Sequence, residues 1–130
     1  IRGKKILSDG TIVLEAGHNG FASLGVSYFR KLKIIEMPDK NLQLEIHEEI
    51  NCKKSVSWRQ WWHLGPEIPK SVLFELIKKY KEKNNVKYTW HETHYSEDFN
   101  LRTKRNSLCL SGFLPRGKHK LISKLIFNQI

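Results

Sequence analysis

The segment LQLEIHEEI at residues 42–50 constrains the fold most, because apolar and polar residues alternate along almost all of it. Such alternation predicts a β-strand with one face in a core and the other in water, as in antiparallel sheets. The chain therefore has to build a sheet with one buried face. The apolar side is Leu42, Leu44, Ile46 and Ile50, and the polar side is Gln43, Glu45, His47 and Glu49.

Similar signals recur along the chain and predict about seven strands at the spacing of antiparallel sandwiches. Residues 69–85 are ambiguous, since Val72, Leu76 and Tyr80 suit a helical stripe whereas Val72, Phe74 and Leu76 suit a strand. A proline at the start and lysines near the end favour the helix. The expected fold is all-β, an antiparallel β-sandwich with at most one helix. The other strands are predicted at residues 12–16, 25–35, 56–64 and 86–95, around Leu108 and Leu110, and at 119–127, with a turn at 96–100 before the strand around Leu108.

Residues 17–21, GHNGF, form a predicted hairpin turn, because Asn-Gly tolerates positive φ at both positions. His18 and Asn19 lie at its lip. In the next strand, Arg30 shares the face of Tyr28 and Leu32. An arginine on an apolar face is costly unless it meets an anion. That anion is either a ligand or a glutamate of the strand that contains residues 45–49.

The composition predicts a folded chain that attracts polyanions. At 130 residues it fits one domain, and its 23 Lys and Arg against 13 Asp and Glu give a net charge of +10. Nucleic acids, acidic polysaccharides and anionic membrane surfaces share this attraction, and a basic balance can also serve solubility alone. No stretch reaches the roughly 18 apolar residues of a membrane span. Cys52 and Cys109 are expected as buried free thiols, although a disulfide stays open for an exported protein.

The segment WRQWWHLGP places His63 on the face of Arg59 and Trp61, at a strand end before Gly-Pro. A polar group there is well placed to meet a ligand, and Trp61 can stack on a sugar. The alternatives are a hydrogen-bonded structural histidine and a core tryptophan. His91 and His94 fall on opposite strand faces, and GxSxG, HExxH and P-loop patterns are absent. We expect no metal and no cofactor.

The order "GHNGF…GVSYFRKLKI…LEIHEEI…WWHLGPEI…HYSEDFNLRTKRNSLCLSGFLPRGKHKLISKLIF" resembles the C-terminal β-sandwich part of the heparinase II/III-like polysaccharide lyases. The resemblance covers nearly the whole chain. In that family a turn with histidine, glycine and an aromatic residue leads to a strand with histidine and arginine two residues apart. This sequence departs from the pattern at Tyr28, where histidine is usual, and at Asn100, where glycine is usual.

The resemblance implies a piece of a larger, periplasmic or secreted protein whose upstream α/α toroid forms the substrate cleft with the sandwich. That protein would cleave uronic-acid-containing polysaccharide by β-elimination. The toroid supplies the acid or base tyrosine and the group that neutralises the uronate, so this chain alone is expected to be inactive. Candidate substrate contacts are His18, Asn19, Arg30, Trp61 and His63.

Two other classes compete with the lyase interpretation. A non-catalytic carbohydrate- or polyanion-binding β-domain would use the tryptophans and need no toroid. Nucleic-acid binding is less favoured, because the basic residues are spread over the chain and no recognised motif is present.

Overall fold

The computed structural model describes residues 3–83, 85–96 and 102–128. Strands account for most of them, together with two 3-10 turns and one α-helix. The turns are Ala22–Leu24 and Lys70–Leu73, and the helix α1 is Phe74–Lys81. In chain order the strands are β1 (Gly3–Ile6), β2 (Ile12–His18), β3 (Val26–Glu36), β4 (Leu42–Cys52), β5 (Val56–His63), β6 (Val86–Tyr95), β7 (Thr103–Leu114) and β8 (Gly117–Phe127).

The strands form two sheets, ordered β1-β2-β3-β4-β8 and β5-β7-β6. They belong to two compact units: the first comprises Ile1–Val56 and Leu114–Ile130, and the second comprises Ser57–Phe113. The predicted all-β antiparallel class with one helix is confirmed. None of the helices in the described ranges has the length and apolar character needed to cross a membrane.

Strand β4 of the five-stranded sheet has the predicted one-sided polarity. Leu32 lies opposite Leu14 on β2 and Ile46 on β4, so apolar residues continue from strand to strand on one face. On the same face, Leu121 and Leu125 of β8 are buried. The other face carries exposed ion pairs between neighbouring strands: Lys31–Glu15 at 3.2 Å, Lys124–Glu45 at 3.7 Å and Lys120–Glu49 at 3.9 Å.

In the second unit, α1 contributes three buried residues, Leu76, Ile77 and Tyr80. Leu108 and Leu110 of the central strand β7 are fully buried. The helical interpretation of residues 69–85 is therefore confirmed over the middle of that range, beginning as a 3-10 turn after Pro69. Lysines in the last turn of α1 suit the negative end of its dipole.

Two local differences from the sequence expectations concern the first unit. Strand β1, GKKI, was not predicted because it is short and charged, as edge strands often are. The GHNGF connection is longer than a two-residue turn: β2 continues through His18, and a 3-10 turn follows before Gly25, whose φ of 71° favours glycine. Most of the predicted turn at 96–100 lies outside the described residues.

Candidate functional site

Three aromatic rings gather at the end of the β2–β3 hairpin. His18 is the direct partner of Tyr28 across the two strands, with ring centroids 5.0 Å apart. Phe21, from the connection, meets His18 edge-on at 5.0 Å and Tyr28 at 6.4 Å. The amide of Gly20 donates to Nδ1 of His18 at 3.1 Å, so Nε2 carries the proton in the neutral ring. Because His18 is exposed, this N–H can donate to a ligand oxygen.

Arg30 lies next to this cluster and is held by Glu48 of β4. The two residues are direct cross-strand partners on the apolar face. Arg30 Nε donates to Glu48 Oε1 at 3.1 Å, and Nη2 and the Tyr28 hydroxyl donate to the same oxygen. The Glu48 side chain is 3% exposed and that of Arg30 is 40% exposed. The carboxylate is therefore buried while part of the Arg30 side chain still reaches solvent.

This pairing shifts the titration of both donors. Burial, reinforced by the hydrogen bond to Glu48, raises the pKa of the Tyr28 phenol well above its ordinary value. Burial lowers the pKa of Arg30, but the hydrogen bond and charge of Glu48 outweigh it, so the net shift is upward. Tyr28 thus stays a neutral phenol and Arg30 stays a cation at physiological pH. Neither group can take a proton from a substrate.

A pocket of about 350 Å³ lies in the first unit, mainly on the sheet face opposite Arg30, and Tyr28 is among its lining residues. Its wall includes Phe29 of β3 and Lys118, His119 and Lys120 of β8. His119 is fixed by a 2.6 Å hydrogen bond between Nε2 and the carbonyl oxygen of Pro115. The Glu49 carboxylate also lines the pocket and pairs with Lys120 at 3.9 Å, so the pocket is not purely cationic.

Trp61 and His63 form a second cluster, on β5 of the second unit. Their rings are parallel within 7°, with centroids 5.9 Å apart, and Trp61 also contacts His91 at 5.1 Å. Trp61 is 43% exposed. It therefore presents ring surface to solvent on the polar face of the three-stranded sheet.

A chain of hydrogen bonds fixes His63. Its Nδ1 lies 2.7 Å from Ser107 Oγ, which lies 2.7 Å from Thr93 Oγ1. Arg105 Nε donates to Thr93 Oγ1 at 3.3 Å. Ser107 is fully buried, so its hydroxyl cannot act as a nucleophile on a polysaccharide. This network of hydrogen bonds positions His63 instead.

The structure brings together two subsets of the predicted contact residues. His18 and Arg30 both touch Tyr28, and Asn19 follows directly after β2 with an exposed side chain. Trp61 and His63 stack on each other in the other unit. That His18, Arg30 and His63 line a single rim stays a prediction.

Sequence reasoning did not single out Tyr28 or Glu48 as site residues. The alternative left open for Arg30, a glutamate partner on the next strand, is what the structure contains. A signal was available: Glu48 interrupts the apolar side of β4 as Arg30 interrupts that of β3. The register places the two interruptions opposite each other.

Cys52 and Cys109 are both free and buried, and burial raises the pKa of the Cys52 thiol. Among the described residues, no group of three or more histidine, cysteine or acidic side chains could hold a metal ion. His91 and His94 do fall on opposite faces, because their partners on β7 are Ser107 and Lys104.

Comparison of the chain with protein-family models, curated proteins and solved structures found no match.

Proposed function

We propose that this chain is the C-terminal β-sandwich portion of a heparinase II/III-like polysaccharide lyase and that it contributes contacts to an anionic, uronic-acid-containing polysaccharide. The observation that carries the proposal is the arrangement of His18, Tyr28 and Arg30 on adjacent strand positions. It offers a histidine N–H and a partly exposed arginine side chain on the same face of the sheet. These are donors that suit the carboxylate and hydroxyl oxygens of a uronate.

The chemistry of the reaction assigns this chain a binding role. β-Elimination removes the weakly acidic proton at C5, so it needs a base within hydrogen-bond reach and a group that neutralises the carboxylate. Tyr28 is held protonated by burial and Glu48, and Arg30 is a permanent cation. The proposal therefore leaves the acid and base to an upstream toroid domain and gives this chain the orientation of the sugar.

Binding of a uronic-acid hexasaccharide tests the proposal. We expect Arg30→Lys to weaken binding about fivefold to tenfold, because lysine keeps the charge beside Glu48 but loses the guanidinium fork. Lys31→Ala, on the opposite face, is the control and should change affinity less than twofold. Calorimetry of samples verified as folded separates affinity from stability. Unchanged affinity in Arg30→Lys would make Arg30 a purely structural residue and contradict its proposed role.

Activity gives a second test. The isolated chain should produce no unsaturated uronate from acidic polysaccharide, as followed by ultraviolet absorbance of the conjugated acid. Product formed by this chain alone would contradict the assignment of the acid and base to another domain.

A non-catalytic carbohydrate-binding domain is the second candidate, favoured by the exposed ring of Trp61 beside His63. Such modules bind sugars on aromatic surfaces without a catalytic partner. Mass spectrometry of the native protein separates the two candidates. A chain longer by several hundred residues supports the lyase, and a mature protein of this length supports the binding module.

A further inference from the structure

A second pocket, of about 520 Å³, lies in the second unit, at the end of the three-stranded sheet away from His63. Its lining includes Arg59 of β5, Lys87 of β6, and Ser111 and Phe113 of β7. None of these residues belongs to the clusters described above. The pocket is open to solvent and contains no acidic side chain among its lining residues.

The strand register explains why two cations meet there. β7 is the central strand, and Lys87 is the direct partner of Ser111 on it. On the other side of β7, His63 of β5 is hydrogen-bonded to Ser107. Four residues back along β5 and four residues forward along β7 lie Arg59 and Ser111, which are on that same face because alternate residues share a face. Arg59 and Lys87 thus flank a small residue. Their backbones are about 10 Å apart, two strand spacings, which both long side chains can bridge toward one group.

These two cations share one pocket and have no acidic partner in an ion pair among the described residues. In the part of the chain that the structure describes, neither Arg59 nor Lys87 takes part in an ion pair, whereas Lys31, Lys104, Lys120 and Lys124 each do. Two like charges that share one pocket repel each other, and a bound anion removes the repulsion. The pocket therefore has a positive potential that favours an anionic ligand.

Aromatic rings lie on both sides of the pair formed by Arg59 and Lys87. Phe113, two residues beyond Ser111, is 66% exposed. Trp61, two residues beyond Arg59 in the opposite direction, is 43% exposed. Along the strands the two rings are four residues apart, about 13 Å. The face therefore presents an aromatic ring, a pair of cations and another aromatic ring in sequence.

We propose that this pocket binds an acidic sugar residue of an anionic polysaccharide, with Arg59 and Lys87 holding its carboxylate or sulfate group and Phe113 stacking on the sugar ring. Ser111 lies between the cations and donates its hydroxyl to the same anionic group. The inference rests on the proposed function and adds to it a subsite in the second unit. Trp61 takes the next sugar along the chain.

The spacing favours a polysaccharide over single-stranded nucleic acid. Nucleic-acid platforms stack successive bases on aromatic side chains and follow the phosphates with a basic groove. Here the rings of Phe113 and Trp61 are separated by a pair of cations, which suits a polymer that carries its charge on the sugar ring itself.

Titration of the protein with a uronic-acid hexasaccharide, followed by backbone NMR shifts and by calorimetry, tests the proposal. We expect the largest shifts at residues 57–61, 85–89 and 109–113. Arg59→Ala and Lys87→Ala should each weaken binding about fivefold to tenfold, and Phe113→Ala about fivefold. All three side chains are exposed, so the variants should fold. Matched controls are Arg102→Ala, Lys78→Ala and Phe74→Ala, which are also exposed and should change affinity less than twofold.

Three outcomes overturn the proposal, and they separate it from the proposed function. Hexasaccharide binding that is unchanged in Arg59→Ala/Lys87→Ala rejects this pocket and leaves the contacts of Arg30 standing. Absence of hexasaccharide binding by the unmodified protein rejects both. Tighter binding of a single-stranded DNA of equal charge, with shifts at the same residues, replaces the polysaccharide by nucleic acid.

Discussion

Arg30 and Arg59 are both arginines in the middle of a strand, but their surroundings are opposite. Arg30 lies on the apolar face of the five-stranded sheet and is paired with the buried carboxylate of Glu48. Arg59 lies on the polar face of the three-stranded sheet, exposed and facing Lys87 across Ser111. The first arginine is satisfied by the protein itself. The second is exposed to solvent and remains free to contact a ligand.

The difference shows that a net charge of +10 does not by itself locate a binding site. On the five-stranded sheet, Arg30, Lys31, Lys120 and Lys124 are each paired with a glutamate of the neighbouring strand. Unpaired cations that share a pocket are more informative than the total, because their combined field favours an anion at one place.

Replacement of Arg30 should have the largest effect on stability. Arg30→Ala leaves the Glu48 carboxylate buried without its cation, and we expect the free energy of unfolding to fall by about 2 to 3 kcal/mol. This is below the full cost of breaking a buried pair, because Arg30 is 40% exposed. Lys31→Ala removes a surface pair and should cost less than about 1 kcal/mol. Urea denaturation measures both, and equal losses would mean that Glu48 is solvated.

Tyr28→Phe should have the next largest effect. It removes the Tyr28 hydroxyl, which donates to Glu48 Oε1 together with the Arg30 guanidinium, and keeps the ring against His18. A hydrogen bond to a charged, buried acceptor contributes about 1 to 2 kcal/mol. The same urea experiment measures it. A loss as large as that of Arg30→Ala would show that the phenol, and not the guanidinium, is the main partner of Glu48.

The raised pKa of Tyr28 predicts a loss of stability at high pH. Below the ordinary tyrosine value of 10.0 the phenol is protonated in both the folded and unfolded states. Above it the unfolded state releases this proton and the folded state retains it, so stability falls by up to about 1.4 kcal/mol per pH unit. The stability difference between the natural protein and Tyr28→Phe should therefore shrink from pH 10 to pH 11.5. A constant difference would contradict the burial of the phenol.

Replacement of Arg59 should have the smallest effect on stability. The Arg59 guanidinium has no acidic partner in the described residues and shares its pocket with Lys87. Arg59→Ala should therefore change the free energy of unfolding by less than about 0.5 kcal/mol. Thermal denaturation in low salt is the most sensitive measurement, since screening is weakest there. A loss comparable to that of Arg30→Ala would reveal an acidic partner and end the contrast between the two arginines.

The sequence predicts the strands well where one face is apolar and the other polar. The alternation at residues 42–50 holds in β4, and Tyr28, Arg30 and Leu32 share a face as expected. It does not single out Glu48 as the partner of Arg30, because that depends on the β3–β4 register. A slip of one residue would move Glu48 to the solvent face. The register is fixed by the turn at residues 37–41, where Lys40 adopts a φ of 65°.

The juxtaposition of two cations in the second unit was not predicted for a similar reason. Arg59 and Lys87 are far apart in sequence and carry no motif. They meet only because β7, the later strand, inserts between β5 and β6. The pairing of non-consecutive strands leaves no local pattern.

The pairing of β4 with β8 has a consequence for how the chain could have been assembled. Cys52 and Gly117 are direct partners at the ends of these antiparallel strands, one strand spacing apart. A tight turn of a few residues would close the same hairpin that residues 53–116 now close. The three-stranded unit is thus an insertion between two neighbouring strands of an otherwise continuous β-meander. Changes within that unit therefore leave the strand order of the five-stranded sheet as it is.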